Sequence, residues 1–293
     1  MRLWAAVILA LLTRPAVLEQ QSRADGPVAK SHGQWQLVWS DEFDNDGFPD
    51  ASKWGCEVGF LRNNELQYYT KLRQENLRVE NGHLVLEARK ERWKNGKYDP
   101  SRKHVPGWLR HVPVAEYTSA SIKSEGFASW TYGRFEVRAK LPRGNGIWPA
   151  IWLLGDGHQT EGWPKCGEID IMEFVGYEPN TIHVNAHCKK YNHADKTAKS
   201  GRIDVEAPSD VFHVYAIEWH IDRIDYFVDG EKFYTFVDDG TGSDAWPFDK
   251  PHFFILNLAI GGEWAGKEGI DDSIFPQRYL VDYVRIYQQP ASE

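Results

Sequence analysis

Short runs of alternating apolar and polar residues, with no long amphipathic helix among them, constrain this chain more than any other feature. They are HLVLEARK (83–90), SASIKSE (119–125), GRFEVRAKL (133–141), IWPAIWLLG (147–155) and GEIDIMEFV (167–175). TIHVNAHCK (181–189), HVYAIEWH (213–220), RIDYFVDGEKFYTFV (223–237), PHFFILNLAI (251–260) and YLVDYVRIYQ (279–288) continue the series. Tyr215, Ile217 and Trp219 fall on one face of their run, as do Ile224, Tyr226 and Val228. Asp229-Gly230 supplies a hairpin turn between two of the runs. About ten strands at this spacing predict an all-β protein, a sandwich or jelly roll of two antiparallel sheets. Residues 91–118, rich in charge and proline, read as a long surface loop.

At 293 residues the chain can bury one sizeable core, and nothing after Trp35 resembles a domain boundary. One domain is therefore expected over 35–293. The start, MRLWAAVILALLTRPAV, has an apolar run from Leu3 to Leu12, long enough for a signal-peptide core and too short to cross a membrane. The expectation is a signal peptide over 1–24, a linker over 25–34, and a secreted or periplasmic protein that does not stay with the membrane.

The formal charge of −8 argues against nucleic acid, because phosphate binding needs a basic surface. Two basic stretches, SRKHVPGWLRH (101–111) and KKYNHADKTAKSGR (189–202), read as solvated loops. Cys56, Cys166 and Cys188 are too few for a disulfide scaffold and too scattered for zinc; Cys166 and Cys188 could pair or be buried thiols. Thirteen Trp fit a carbohydrate cleft, since flat aromatic faces stack on sugar rings, but they fit a β core as well.

Within GEIDIMEFVG, Glu168, Asp170 and Glu173 break the logic of a buried strand, where unpaired charge is expensive. Side chains alternate along a strand, so Glu168 and Asp170 share a face and Glu173 points away. One extra residue at Ile171–Met172, a β-bulge, would return Glu173 to the face of Glu168. Crowded carboxyls cannot all ionise, so the set would hold a proton near neutral pH, as glycoside cleavage requires. A calcium site or an acid-decorated edge strand is the competing reading. TIHVNAHC supplies a neighbouring face with His183, Asn185 and His187 on one side and Val184, Ala186 and Cys188 on the other.

GEIDIMEFVG resembles the signature of family 16 glycoside hydrolases. WSDEFD (39–44), NNELQYYT (63–70), WPAIWLLG (148–155), HVYAIEW (213–219) and NLAIGGEW (257–264) resemble further blocks of its laminarinase-like branch. The resemblance implies a β-jelly roll with a concave substrate cleft and a retaining endo-β-1,3-glucanase that acts on laminarin-like polysaccharide as a monomer. In it Glu168 matches the nucleophile, Glu173 the acid/base, Asp170 the assisting carboxylate, and His187 a histidine near the acid/base. Asn64, Trp148, Trp152, His183 and Trp264 match positions of the substrate cleft, while Glu263 stands where Asn or Asp is common. No cofactor is implied for catalysis. A structural Ca²⁺ is implied between Glu42, the backbone at Asn81-Gly82 and Asp282, hard oxygen donors suited to that ion. Mixed-linkage glucan, agar or carrageenan are alternative substrates, and a non-catalytic glucan-binding protein is the alternative outside enzymology.

Overall fold

The computed structural model describes residues 35–290. The leader and linker expected over 1–24 and 25–34 lie outside the described residues. Seventeen strands follow in chain order: β1 (Gln36–Asp41), β2 (Gly55–Cys56), β3 (Gln67–Tyr69), β4 (Leu77–Glu80), β5 (His83–Lys94), β6 (Val114–Ser119) and β7 (Ser121–Lys123). Next come β8 (Gly133–Lys140), β9 (Ile147–Gly155), β10 (Glu168–Glu173), β11 (Thr181–His187) and β12 (Ser200–Asp204). The last are β13 (His213–Trp219), β14 (Arg223–Val228), β15 (Glu231–Val237), β16 (His252–Ile260) and β17 (Gln277–Gln288).

They form two sheets. One runs β12-β11-β10-β9-β16-β7-β2; the other runs β15-β14-β13-β8-β17-β5-β6-β3, with β1 on β17 and β4 on β5. Pairing is antiparallel except where β3 runs parallel to β6. The β14–β15 hairpin turns at Asp229-Gly230, both at positive φ (50° and 83°), as a turn matched to the twist of its strands demands. The surface loop expected over 91–118 is shorter than that. Lys90 pairs with Tyr117 and Trp93 with Ala115, so β5 and β6 extend into the charged stretch and the loop spans 95–113. Arg92 and Lys94 take the exposed positions there, while Glu91 and Trp93 are half-buried and the ladder is bulged between Lys90 and Trp93.

The core lies between the sheets. Ile169, Ile171 and Met172 of β10, Ile182, Val184 and Ala186 of β11, and Phe254, Leu256 and Leu258 of β16 join Phe135, Val137, Tyr215, Ile217 and Trp219 of the facing sheet. The middle of the seven-stranded sheet is covered on its other face too. There Ala150 and Trp152 of β9 pack with Phe253 and Ile255 of β16 in a second, smaller cluster. Every residue of β16 is consequently buried. Cys166 and Cys188 are buried free thiols, not a disulfide.

Gly176 closes the turn after β10 by donating its N–H to the Ile147 carbonyl at 3.1 Å. A Cβ there would come within 1.7 Å of the Gly144 carbonyl oxygen. Because that neighbour is backbone, it cannot swing aside. Gly176→Ala is expected to destabilise the fold by about 3 kcal/mol or more, read from the urea midpoint; an unchanged midpoint would show that the two segments part freely.

Candidate active site

The strand that carries the three acids is bulged. Against β9, Glu168 lies opposite Leu154 and Asp170 opposite Trp152, but Met172 then meets Ile151 and Glu173 meets Ala150. One residue of β10 is therefore extra between Asp170 and Met172, and Ile171 and Met172 both point into the core. Leu154, Trp152 and Ala150 share one face of β9, so the acids opposite them share the outer face of the sheet. On the other side Glu168 faces His187, Asp170 faces Asn185 and Glu173 faces His183.

Glu168, Asp170 and Glu173 line a cleft with Trp148, Ala150, Trp152 and Asn257 as floor and Arg62, Asn63 and Glu65 beyond. Trp148 Nε1 donates to Glu173 Oε1 at 3.1 Å, and Asn185 Nδ2 donates to Glu173 Oε2 at 3.1 Å. Trp163 donates to Glu168 from the loop preceding β10. Asp170 Oδ2 is buried without a hydrogen-bond partner and has His187 Nε2 at 3.4 Å.

Burial pushes all three carboxyls above their ordinary range. For Glu168 the charge on Glu173 adds to the rise, while Arg62 and the Trp163 donor oppose it. Asp170 is raised by burial and then by both glutamates. In Glu173, burial outweighs the donors Trp148 and Asn185. Burial, helped by His193, drives His187 down to about 3, so its ring is neutral at physiological pH.

His187 was expected near Glu173; the structure places it elsewhere. Antiparallel register sets it opposite Glu168, 3.9 Å from that carboxylate and 3.4 Å from Asp170. His183 is the histidine opposite Glu173; its Nε2 lies 2.6 Å from Glu178 Oε2, and its ring meets Trp264 edge-on at 5.0 Å. Trp264, on the short helix Gly262–Ala265, also packs edge-on against Trp148 at 5.3 Å. The expected Trp148 and Trp152 lie in the cleft. Asn64 does not line it. Its amide donates to the Gly107 carbonyl (2.7 Å) and to Glu263 (3.1 Å) in an adjoining hollow, leaving Asn63 to face the acids. Arg62, Glu65, Asn257 and Trp163 are not among the residues expected at the site, and Asn185 is placed only on the polar face of its strand; Asn257 opens the NLAIGGEW block. Glu65 and Asn63 lie inside the NNELQYYT block and Asn185 on the polar face of TIHVNAHC, so a signal existed for those. Trp163 sits in an unpatterned loop and had none.

The model for glycosyl hydrolases family 16 matches residues 64–285. The chain belongs to glycoside hydrolase family 16. It is similar to a beta-glucanase of Rhodothermus marinus, 47% identical over 87% of this chain and 85% of the relative. A glucan endo-1,3-beta-glucosidase of Cryptopygus antarcticus is 35% identical over 88% of this chain and 93% of the relative. Among solved structures, the laminarinase of Rhodothermus marinus superposes with a TM-score of 0.77 at 46% identity, covering 88% of this chain and 98% of that one. The two sheets are thus those of a family-16 jelly roll, and catalysis in this family needs no cofactor.

The calcium ligands expected from family-16 resemblance do not form a set here. Arg285 grips both oxygens of Glu42 (3.1 and 2.9 Å), and Arg138 holds Asp282 at 2.6 Å. Gly82 lies in the turn between β4 and β5. Among the described residues, the groups of three His, Cys, Asp or Glu side chains compact enough to hold an ion are Glu168, Asp170 and His187, and separately Glu218, His220 and Asp225. Neither includes Glu42 or Asp282, and a cation between those two would meet a guanidinium at each. EDTA is expected to leave Tm unchanged; a fall in Tm that added Ca²⁺ reverses would restore the calcium site.

Proposed function

We propose that this family-16 protein is a retaining endo-glycosidase that hydrolyses laminarin-like β-1,3-glucan. The observation that carries the reading is the bulge in β10, which sets Glu173 on the same face as Glu168 above a floor of tryptophan. The beta-glucanase and endo-1,3-beta-glucosidase names of its relatives support the linkage.

Glu168 attacks the anomeric carbon as the C–O bond to the leaving sugar breaks, and Glu173 gives its proton to the departing oxygen. The product of that step is a glycosyl ester on Glu168. Glu173, now ionised, takes a proton from water; the hydroxide displaces Glu168, and the sugar leaves with its configuration retained. Asp170, kept protonated by burial, adds no second charge beside the nucleophile. Trp148 and Asn185 fix both oxygens of Glu173, so its proton is presented in one orientation. Tryptophan faces at Trp148, Trp152 and Trp264 offer apolar platforms for sugar rings.

Purified enzyme is expected to release reducing oligosaccharides from laminarin with retained anomeric configuration, read by NMR early in the reaction. Release from mixed-linkage glucan, agar or carrageenan instead would reassign the substrate; binding without any turnover would make it a glucan-binding protein. Glu168→Gln should lower kcat roughly 10⁴-fold or more, and Glu173→Gln about 10²–10⁴-fold. Full activity in Glu168→Gln sinks the assignment.

Trp148→Phe removes a donor that favours ionised Glu173, so the carboxyl rises further. The basic limb of kcat/KM, where the acid loses its proton, then moves up, by up to about one pH unit. A limb that stays or falls contradicts the role given to Trp148.

A further inference from the structure

Glu168, Asp170 and His187 bring three donor atoms within 4.8 Å of one another. The two acids stand two residues apart on β10 and share a face, and the register with β11 sets His187 directly opposite Glu168. His187 Nε2 lies 3.4 Å from Asp170 Oδ2 and 3.9 Å from Glu168 Oε1. A Zn²⁺ ion held tetrahedrally at about 2.0–2.1 Å from each donor spaces its ligand atoms about 3.3–3.4 Å apart. The three side chains therefore need only small movements to close on one ion. Asp170 Oδ2 is the informative atom: it belongs to a side chain more than nine-tenths buried, has no hydrogen-bond partner, and points at His187 Nε2. A carboxyl oxygen orphaned this deep calls for a partner. His187 is equally buried, its ring packed between His193 at 5.0 Å and Trp163 at 6.1 Å, so it holds its aim. Glu168 and Asp170 line the cleft, which gives an ion its entry and a water for its fourth position.

Among the described residues, no lysine or arginine is ion-paired to Glu168 or Asp170. Arg62 is the one cation of those residues that lines the cleft, and its guanidinium is ion-paired to Glu57. The second compact group, Glu218, His220 and Asp225, differs on this point. Arg134 donates to Glu218 at 3.0 Å, and Arg223 donates to Asp225 at 3.0 Å. A metal ion entering there would meet two guanidiniums, as it would between Glu42 and Asp282.

We propose that Glu168, Asp170 and His187 form an inhibitory site for a divalent transition ion of the Zn²⁺ type. The ion takes the Glu168 lone pair that would attack the anomeric carbon, so ion and glucan exclude each other. Binding displaces the proton carried by Asp170 and releases it to solvent. One imidazole among the donors favours Zn²⁺ over Ca²⁺ and Mg²⁺, which prefer oxygen and a higher coordination number. Hydrolysis itself has no step through the ion. The inhibition rests on the reading of Glu168 as nucleophile; the site does not.

The test is calorimetric titration of the enzyme with ZnCl₂, with Tm and initial rates on laminarin measured in the same buffer. Zn²⁺ should bind, raise Tm, and raise the apparent KM for laminarin at constant kcat, with EDTA restoring the rate. Ca²⁺ or Mg²⁺ at the same concentration should leave the rate unchanged. His187→Asn should weaken Zn²⁺ binding by at least about 10–100-fold, the loss that even an outer-shell partner brings. Calorimetry reads that loss whether or not the variant turns over. Asp170→Asn carries the same expectation and serves if His187→Asn does not fold. His220→Gln should bind Zn²⁺ as the wild type does. No binding, equal inhibition by Ca²⁺, affinity undiminished in His187→Asn and Asp170→Asn, or a loss in His220→Gln overturns the proposal. An inactive Glu168→Gln that binds Zn²⁺ as tightly as the wild type defeats this inference alone; a fully active Glu168→Gln defeats the parent reading.

Discussion

Three carboxyl groups on one face of a half-buried strand repel one another, and desolvation leaves that repulsion poorly screened. The surroundings of β10 can be understood as responses to it. Donors reach the outer two acids, Trp163 on Glu168 and Trp148 with Asn185 on Glu173, while the middle acid gets none for Oδ2 and stays protonated. Histidine, the usual source of adjustable positive charge, is denied that role at His187 by burial. Arg62, the one cation among the described residues lining the cleft, is itself ion-paired to Glu57.

The fold supplies stiffness where this balance needs it. β10 lies between β9 and β11, the third strand from the β12 edge of its sheet, so its backbone is hydrogen-bonded on both sides. Core packing behind Ile171 and Met172 fixes the bulge, and slipping the register by one would turn two apolar side chains into the cleft. In front, the second apolar cluster at Ala150, Trp152, Phe253 and Ile255 keeps the floor dry enough for electrostatics to count. The polar groups of the cleft stand beside an apolar cluster on the same face, with the main core behind them.

Legibility in the sequence followed the range over which the information travels. The register of Glu168, Asp170 and Glu173 could be read because a period of two broke within six residues, and Asn185 because its strand split cleanly into polar and apolar faces. The long strands were visible for the same reason, whereas β2 and β3, with two and three residues, are too short to show a period. Arg62 could not be read, since its meaning depends on Glu57, Trp152 and Glu168, brought together only by the fold. The same holds for the expected calcium ligands: Glu42 and Asp282 look like free donors in the sequence, while the fold sets Arg285 and Arg138 opposite them. His187 went astray through register, a four-residue difference along β11 that decides which acid it faces.

The loop over 95–113 is clasped at its base and near its tip, and His111 ties across to the Asp99 carbonyl at 2.9 Å. At its base Asn95 bonds the carbonyls of Val112 and Pro113; near its tip Asn64 takes the carbonyls of Gly107 and Trp108. Between the clasps, residues 100–104 are exposed. Insertions there can be absorbed as surface variation, and would be a permissive place to graft a tag or a binding peptide. Lengthening the chain between Trp108 and Val112 is a different matter. That would pull on Asn64, and through it on Asn63 and Arg62 at the mouth of the cleft, so drift in a loop far from the acids in sequence could retune them.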